Sequence, residues 1–297
     1  MKIELVSEVG NMSWKLTKYK DINSYYSRVN PFLLRKEAEN NLPLGLLNSI
    51  RTGNRYKDPL LVCVEGEGTL VKGAFIMTPP HHLVAVLEIE EKDCHTIAVE
   101  LNKLLSEEGI TIPGFVSEKT TALKLIEVWC KLTSSDHEIS MKQRIYKLDH
   151  VNNISIPEGS FVRVKDKDIK LLAEWIIGFT EETGINTLSK QDALERAQDM
   201  IANEKFVYFW EVDGRPVSMA RGGRWTDNGI TVNFVYTPKQ YRKKGYASAV
   251  VAKLSAILLK EFDFCTLYTD LDNPTSNKIY MEIGYEPICD SLMVNIK

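Results

Sequence analysis

Residues 235–248, Val235-Tyr236-Thr237-Pro238-Lys239-Gln240-Tyr241-Arg242-Lys243-Lys244-Gly245-Tyr246-Ala247-Ser248, constrain the architecture of this chain more than any other stretch. An apolar, strand-like run stops at a proline. A short basic loop follows, then a glycine, then small residues that open an apolar helix with Val250, Val251, Leu254, Ile257 and Leu258 on one wide face. A strand that turns into a helix through such a loop builds an anion site. The first N–H groups of a helix lack intrahelical partners and carry a partial positive charge. Gly245 lets backbone approach closely, Ala247 and Ser248 add no bulk, and Arg242, Lys243 and Lys244 add positive charge.

The flanking elements follow from pattern. A strand is expected over 160–164 and a helix over 168–180. Ser189 and Asp192 resemble a capping box ahead of the next helix. Strands over 205–212 and 215–221 meet at Asp213-Gly214, a hairpin signal, and a further strand over 230–237 ends at Pro238. A strand over 264–270, a helix from Pro274 to Gly284, and one or two closing strands over 285–296 complete this half. Strands mixed with helices in this order fit an α+β sandwich better than a doubly wound sheet.

The first half reads as a worn copy of the plan. Helical segments (19–29, 31–39, 44–51) precede a hairpin over 60–77, a strand over 82–89, a helix over 93–108, a strand over 110–116, a helix over 120–132 and a closing strand over 141–148. Where the second half has its basic glycine loop, this copy has Glu88-Ile89-Glu90-Glu91-Lys92-Asp93, whose carboxylates repel phosphate. The expected division is a first domain over 1–150, a linker over 151–159 containing Pro157, and a second domain over 160–297.

Composition narrows the function classes. The net charge is −3 at pH 7 and similar in both halves, so neither half reads as a nucleic-acid surface, local basic patches aside, and no apolar run spans a bilayer. Met1-Lys2-Ile3-Glu4 has no leader character, and the scattered Cys63, Cys94, Cys130, Cys265 and Cys289 read as reduced thiols, so a cytoplasmic protein is expected. His81 and His82 are adjacent and would face opposite sides of a strand; no metal site is expected.

The spacing Arg242-x-x-Gly245-x-Ala247 resembles the phosphate loop of the GCN5-related N-acetyltransferases (GNAT), which use acyl-coenzyme A. Asn273-Pro274-Thr275-Ser276-Asn277-Lys278-Ile279-Tyr280-Met281-Glu282-Ile283-Gly284-Tyr285 resembles a second segment of the same family. The resemblance is direct over 160–297 and rests on element order over 1–150. It implies two GNAT-like α+β domains, each a mixed, mostly antiparallel sheet flanked by helices, with acetyl-CoA held by the second alone. It further implies transfer of an acetyl group to a primary amine of a small molecule, by direct attack in a ternary complex.

On the same resemblance, main-chain donors of Lys243, Gly245, Ala247 and Ser248 take the pyrophosphate. Arg242, Lys244 and Tyr246 belong to that loop, with the Arg242 side chain placed to reach a phosphate. Val235, Tyr236 and Thr237 lie along the pantetheine arm, Val235 also being the carbonyl-polarising donor at a strand bulge. Asn273 contacts that arm, Asn277 is a weaker candidate, and Tyr280 protonates the leaving thiolate. Asp270 is the candidate base, with Glu181, Glu182 and Glu211 on the acceptor side. Structural alternatives stand beside these roles: Asn273 as N-cap, Asp270 as a turn residue, Tyr280 as packing. An acyl-CoA-binding sensor without turnover is the alternative function, and an aminoacyl transferase of the tandem-domain kind is a third. The two related domains are expected to act as an internal pseudo-dimer in a monomer. Residues 179–188 and 221–229 are expected to shape the acceptor pocket.

Overall fold

The hairpin signal at Asp213-Gly214 is realised as a turn with both residues at positive φ, +50° and +70°, the geometry that matches strand twist. It belongs to a computed structural model that describes residues 3–9, 12–53, 56–184, 188–203 and 205–297. In chain order the first elements are strands β1 (Ile3–Val9) and β2 (Met12–Tyr19), helices α1 (Ile22–Leu33) and α2 (Asn41–Thr52), and strands β3 (Leu60–Glu65), β4 (Val71–Met77) and β5 (Leu83–Leu87). Helix α3 (Glu91–Glu107), β6 (Gly114–Glu118), α4 (Lys119–Thr133) and β7 (His137–Leu148) follow. Then come β8 (Ser160–Arg163), α5 (Ile169–Thr183), α6 (Lys190–Asn203), β9 (Phe206–Val212), β10 (Arg215–Trp225) and β11 (Gly229–Tyr236). Helix α7 (Tyr246–Leu258), β12 (Phe264–Asp270), α8 (Pro274–Ile283) and β13 (Glu286–Ile296) complete the chain.

Two compact α+β units result. The first comprises residues 1–145 with 269–272 and 288–297; the second comprises 146–268 with 273–287. In the first unit the strand order is β1-β2-β3-β4-β5-β6-β13-β7, antiparallel except where β5 meets β6. One core on this sheet is built on α3 and α4, through Ile97, Leu101, Leu125 and Trp129; another is built on α1 and α2, through Tyr25, Val29, Leu44 and Leu47. In the second unit the order is β12-β11-β10-β9-β8, again antiparallel except for β11 with β12. Helix α7 buries Val250, Val251, Leu254 and Leu258 on one side, while α5 and α6 bury Leu172, Trp175, Ile176, Ala197 and Met200 in a separate cluster.

Three features differ from the sequence reading. Residues 288–297, assigned to the second domain by pattern, lie in the first unit, where β13 runs antiparallel to β6 with Leu292 opposite Ser117 and Val294 opposite Phe115. Residues 151–159 form no helix or strand, but they are not a free tether. Val151, Ile154 and Ile156 pack on the second unit's core, and Asn152 donates its N–H to the Ile283 carbonyl at 2.8 Å. Ahead of residue 19, where no element was expected, β1 and β2 form a hairpin.

The ends of the helices near the candidate site are chemically specified. Ser189 Oγ accepts from the Asp192 N–H at 3.1 Å, as its spacing predicts. Gly284 closes α8 at φ +114°, a conformation open to glycine. Among the described residues no helix is long and apolar enough to cross a membrane, and no group of three or more metal-ligating side chains converges.

Candidate functional site

Strands β11 and β12 are both long, yet they pair over only three positions, Gly229 with Phe264, Ile230 with Cys265 and Thr231 with Thr266. Past Thr231 the parallel ladder stops. On its other edge β11 pairs with β10, and there the register shifts by one: Arg221 faces Asn233, but Met219 faces Tyr236. The extra residue is a bulge at Phe234–Val235, and Phe234 sits at φ +49°. Burial changes at the same place, from fully buried at 229–232 to half-buried at 233–237. A strand whose ladder stops midway keeps main-chain donors and acceptors that an extended ligand can pair with, as an added strand would. The expected bulge beside Val235 is therefore present.

Beyond Pro238 the chain makes a single 3-10 turn, Lys239–Tyr241, and then wraps into α7 through Lys243 at φ +62° and Gly245 at φ +78°. Gly245 is the N-cap residue and supplies no side-chain cap, so the first-turn N–H groups of α7, from Tyr246, Ala247 and Ser248, have no capping side chain. Main-chain N–H groups of a tight loop ahead of an uncapped helix start suit an anion. A Cβ on Gly245 would meet only ordinary contacts with Pro157 at 3.6 Å, so the positive φ is what calls for glycine there. We expect Gly245→Ala to cost about 1–2 kcal/mol of loop strain and to weaken coenzyme A binding by about tenfold, measured by titration calorimetry. An unchanged affinity would remove the loop from the site.

Arg242 is exposed but held in place. Its Nε donates to the Thr237 carbonyl at 2.8 Å and its other end pairs with Glu182 at the C-terminal end of α5. Lys243 and Lys244 remain exposed. Thr237 Oγ1 and Ser218 Oγ lie 2.8 Å apart and tie the end of β11 to β10.

The second motif folds as a capped helix. Asn273 Oδ1 accepts from the Ser276 N–H at 3.2 Å and Pro274 occupies the first turn, the N-cap role its position predicts. Asn277 bridges the Asn273 carbonyl at 2.9 Å and the Tyr146 hydroxyl at 3.1 Å. Asp270 Oδ1 accepts from the Asp272 N–H at 2.9 Å, which is the turn-holding role. Tyr280 is only 8% exposed and packs edge-on to Tyr285, ring centroids 6.0 Å apart. Tyr285 has its own partner, Ser255 Oγ at 2.8 Å, whereas the Tyr280 hydroxyl has none among the described residues. Burial pushes the Tyr280 phenol well above its ordinary value, so it holds its proton at neutral pH. Val235 packs against the same apolar cluster that contains Tyr280.

An open groove of about 730 Å³ lies between α5 and the end of β11, lined among others by Glu174, Gly178, Glu181, Glu182, Tyr236 and Lys239. Tyr236 crosses it with its hydroxyl against Gly178, where a Cβ would come within 2.5 Å of that oxygen. Burial first, then the charge of Glu182, raises the Tyr236 phenol, against the opposing effect of Arg242. Glu181 and Glu182, expected on the acceptor side, do line this groove; Glu211 does not. Glu174 and Gly178 were not anticipated, although they sit two helical turns and one helical turn, respectively, before Glu181–Glu182. Of the two segments expected to shape the pocket, 185–187 lie outside the described residues, and 221–225 are not loop but the end of β10.

The first unit has the same crossing with different contents. Strands β5 and β6 pair at Leu83–Phe115 and Val84–Val116, and just beyond, Ser117 Oγ donates to the Ala85 carbonyl at 2.7 Å. At the start of α3 the buried Asp93 accepts from Trp14 Nε1 at 3.1 Å. A carboxylate of the chain itself thus stands at the helix start.

Residues 171–285 match the family model described as "Acetyltransferase (GNAT) family". Solved structures resemble nearly the whole chain. A GCN5-related N-acetyltransferase from Sphaerobacter thermophilus is 12% identical, with a TM-score of 0.66 over 95% of each chain. An acetyltransferase of the GNAT family from Colwellia psychrerythraea is 10% identical, with a TM-score of 0.57 over 95% of this chain and 98% of that one. A tandem GNAT protein from the clavulanic acid biosynthesis pathway, solved without acetyl-CoA, is 10% identical, with a TM-score of 0.58 over 96% of this chain and 98% of that one. No curated protein sequence matches the chain.

Proposed function

We propose, from the match of residues 171–285 to the GNAT acetyltransferase family model, that the second unit moves an acetyl group from acetyl-CoA to a primary amine of a small molecule, by direct attack in a ternary complex. The observation that carries this reading is the early end of the β11–β12 ladder beside a bulge, followed at once by the uncapped start of α7. Acetyl-CoA supplies the activated thioester. Main-chain groups of Val235, Tyr236 and Thr237 hold its pantetheine arm, and those of Lys243, Gly245, Ala247 and Ser248, with Lys244 and Tyr246 beside them, hold its pyrophosphate. Arg242 serves by bracing the loop between Thr237 and Glu182. Asn273 and Asn277 shape the start of α8, and through it the setting of Tyr280. The Val235 N–H faces the charge that builds on the reacting carbonyl, and Tyr280 holds the proton a leaving thiolate needs. The first unit, with Asp93 at its helix start, binds no cofactor. We place the protein in the cytoplasm as a monomer, with no membrane or nucleic-acid partner; its buried Cys63 and Cys265 thiols, each pushed up to about 12, are unreactive packing groups.

The groove beside Tyr236 is the acceptor's entry. It carries carboxylates on α5, which suits a cationic amine better than an anionic acceptor. The test is thiol release from acetyl-CoA across amines, aminoglycosides, amino acids and polyamines, with a thermal shift by coenzyme A as the binding control. Binding without release by any acceptor would favour the sensor reading; no binding would discard both.

Asp270 is the candidate base. Asp270→Asn keeps the turn-holding acceptor and replaces the basic oxygen with an amide nitrogen. A base there predicts a loss in kcat of about a hundredfold, read in a steady-state assay; an unchanged rate would assign the proton to solvent.

A further inference from the structure

We propose that Arg221 sets the shape of the β11 bulge and so acts as a positioning residue for the Val235 main-chain donor; the catalytic half of this rests on the acyl-transfer reading above. Phe234, a bulky aromatic residue at φ +49°, is a genuine backbone outlier; such a conformation costs about 1–3 kcal/mol and persists only where its surroundings over-determine it.

Two contacts do so. On one side the Phe179 ring of α5 lies 5.0 Å from the Phe234 ring. On the other, the Arg221 guanidinium sits over the Phe234 ring at 5.8 Å, while its Nη1 donates to Asn233 Oδ1 at 2.9 Å. Asn233 is the last β11 residue in register with β10 before the bulge, and it faces Arg221 itself. One planar cation therefore grips both the last regular residue and the strained one. Val235 is the next amide along the chain.

The setting is built for that cation. Arg221 is only 8% exposed in a strand whose neighbours Met219 and Ala220 are apolar. Desolvating a guanidinium costs several kcal/mol, so a purely apolar side chain would serve a mere ladder position better. Space is kept for it by glycine: a Cβ on Gly223 would fall 2.4 Å from the guanidinium carbon. A flat fork that both stacks and donates is a task for arginine and not lysine.

The test uses the whole 297-residue chain and two kinds of variant. Arg221→Met and Asn233→Leu each remove the Arg221–Asn233 bond; Asn233→Asp keeps an acceptor for Arg221. Hydrogen exchange over residues 234–236 is expected to rise about tenfold in the first two relative to the rest of the second unit and to stay at the wild-type level in Asn233→Asp. In steady state the first two should lose about a hundredfold in kcat with KM for acetyl-CoA held within about threefold, and Asn233→Asp should stay close to wild type. Unchanged local exchange in Asn233→Leu, or a loss shared equally by Asn233→Asp, would overturn the inference. Exchange is read without turnover, so a wild-type protein that acetylates nothing would sink the acyl-transfer reading while leaving this one to be judged on exchange.

Discussion

Replacing Tyr280 with phenylalanine is expected to lower kcat by about a hundredfold to ten-thousandfold while leaving the affinity for coenzyme A unchanged. The ring packs among Tyr285 and its apolar neighbours, and phenylalanine keeps that packing. What is lost is one hydroxyl, and that hydroxyl has no partner among the described residues, so its removal strands no internal group. Any large loss of rate must then come from the proton it carries. Burial raises this phenol above its usual range, which widens the span of pH over which it stays protonated. Only the protonated form can donate. Tyr280 therefore imposes no alkaline fall in kcat up to pH 10, the ordinary phenol range. A full pH profile of wild type and Tyr280→Phe measures both points. A variant with wild-type kcat would make Tyr280 a packing residue; an alkaline limb near neutrality that vanishes in the variant would mean that its ionisation, not its proton, matters.

The parts of this arrangement that were legible in the sequence are those whose cause is local. Asp213-Gly214 announces its turn because both residues tolerate positive φ. Asn273-Pro274 and Gly284 bracket α8 because capping chemistry spans only a few residues. The glycine loop announces α7 for the same reason. Features that need a second strand were not legible. The bulge at Phe234 exists only as a difference between the registers of Arg221–Asn233 and Met219–Tyr236, and no property of residues 230–237 alone encodes it. Arg221 reads as one more polar strand residue until Gly223 is seen as room left for its side chain. Glu174 and Gly178 look like an ordinary helix surface until Tyr236 is found lying across them. The β2 strand is a different kind of miss. Trp14 and Leu16, alternating with Lys15 and Thr17, carry a period of two that points to a strand with one apolar face.

The C-terminal strand gives the other large expected effect. Within residues 291–295 the apolar run Leu292-Met293-Val294 reads as strand, and Leu292 and Val294 turn inward, 4% and 0% exposed. Pattern does not state the neighbour, because period two fixes a face and not a partner. The neighbours are β6, through five residue pairs, and β7, where Ser140 Oγ donates to the Met293 carbonyl at 3.1 Å and Arg144 Nε pairs with Asp290 at 2.6 Å. Residues 288–297 therefore form an inner strand of the first unit, contributed by the far end of the sequence. Their removal would strip one whole ladder edge from β6 and another from β7, and would expose Phe115, Leu125 and Trp129 in the core that Leu292 and Val294 complete. Deleting 288–297 should leave the first unit without a cooperative unfolding transition, with its amides in β3–β6 exchanging at unfolded rates. The milder Leu292→Ala should lower stability by about 2–5 kcal/mol, read from denaturant midpoints. A truncated chain that keeps wild-type exchange protection in β6 would show that the first unit folds on residues 1–145 alone and that the returning strand only lies upon it.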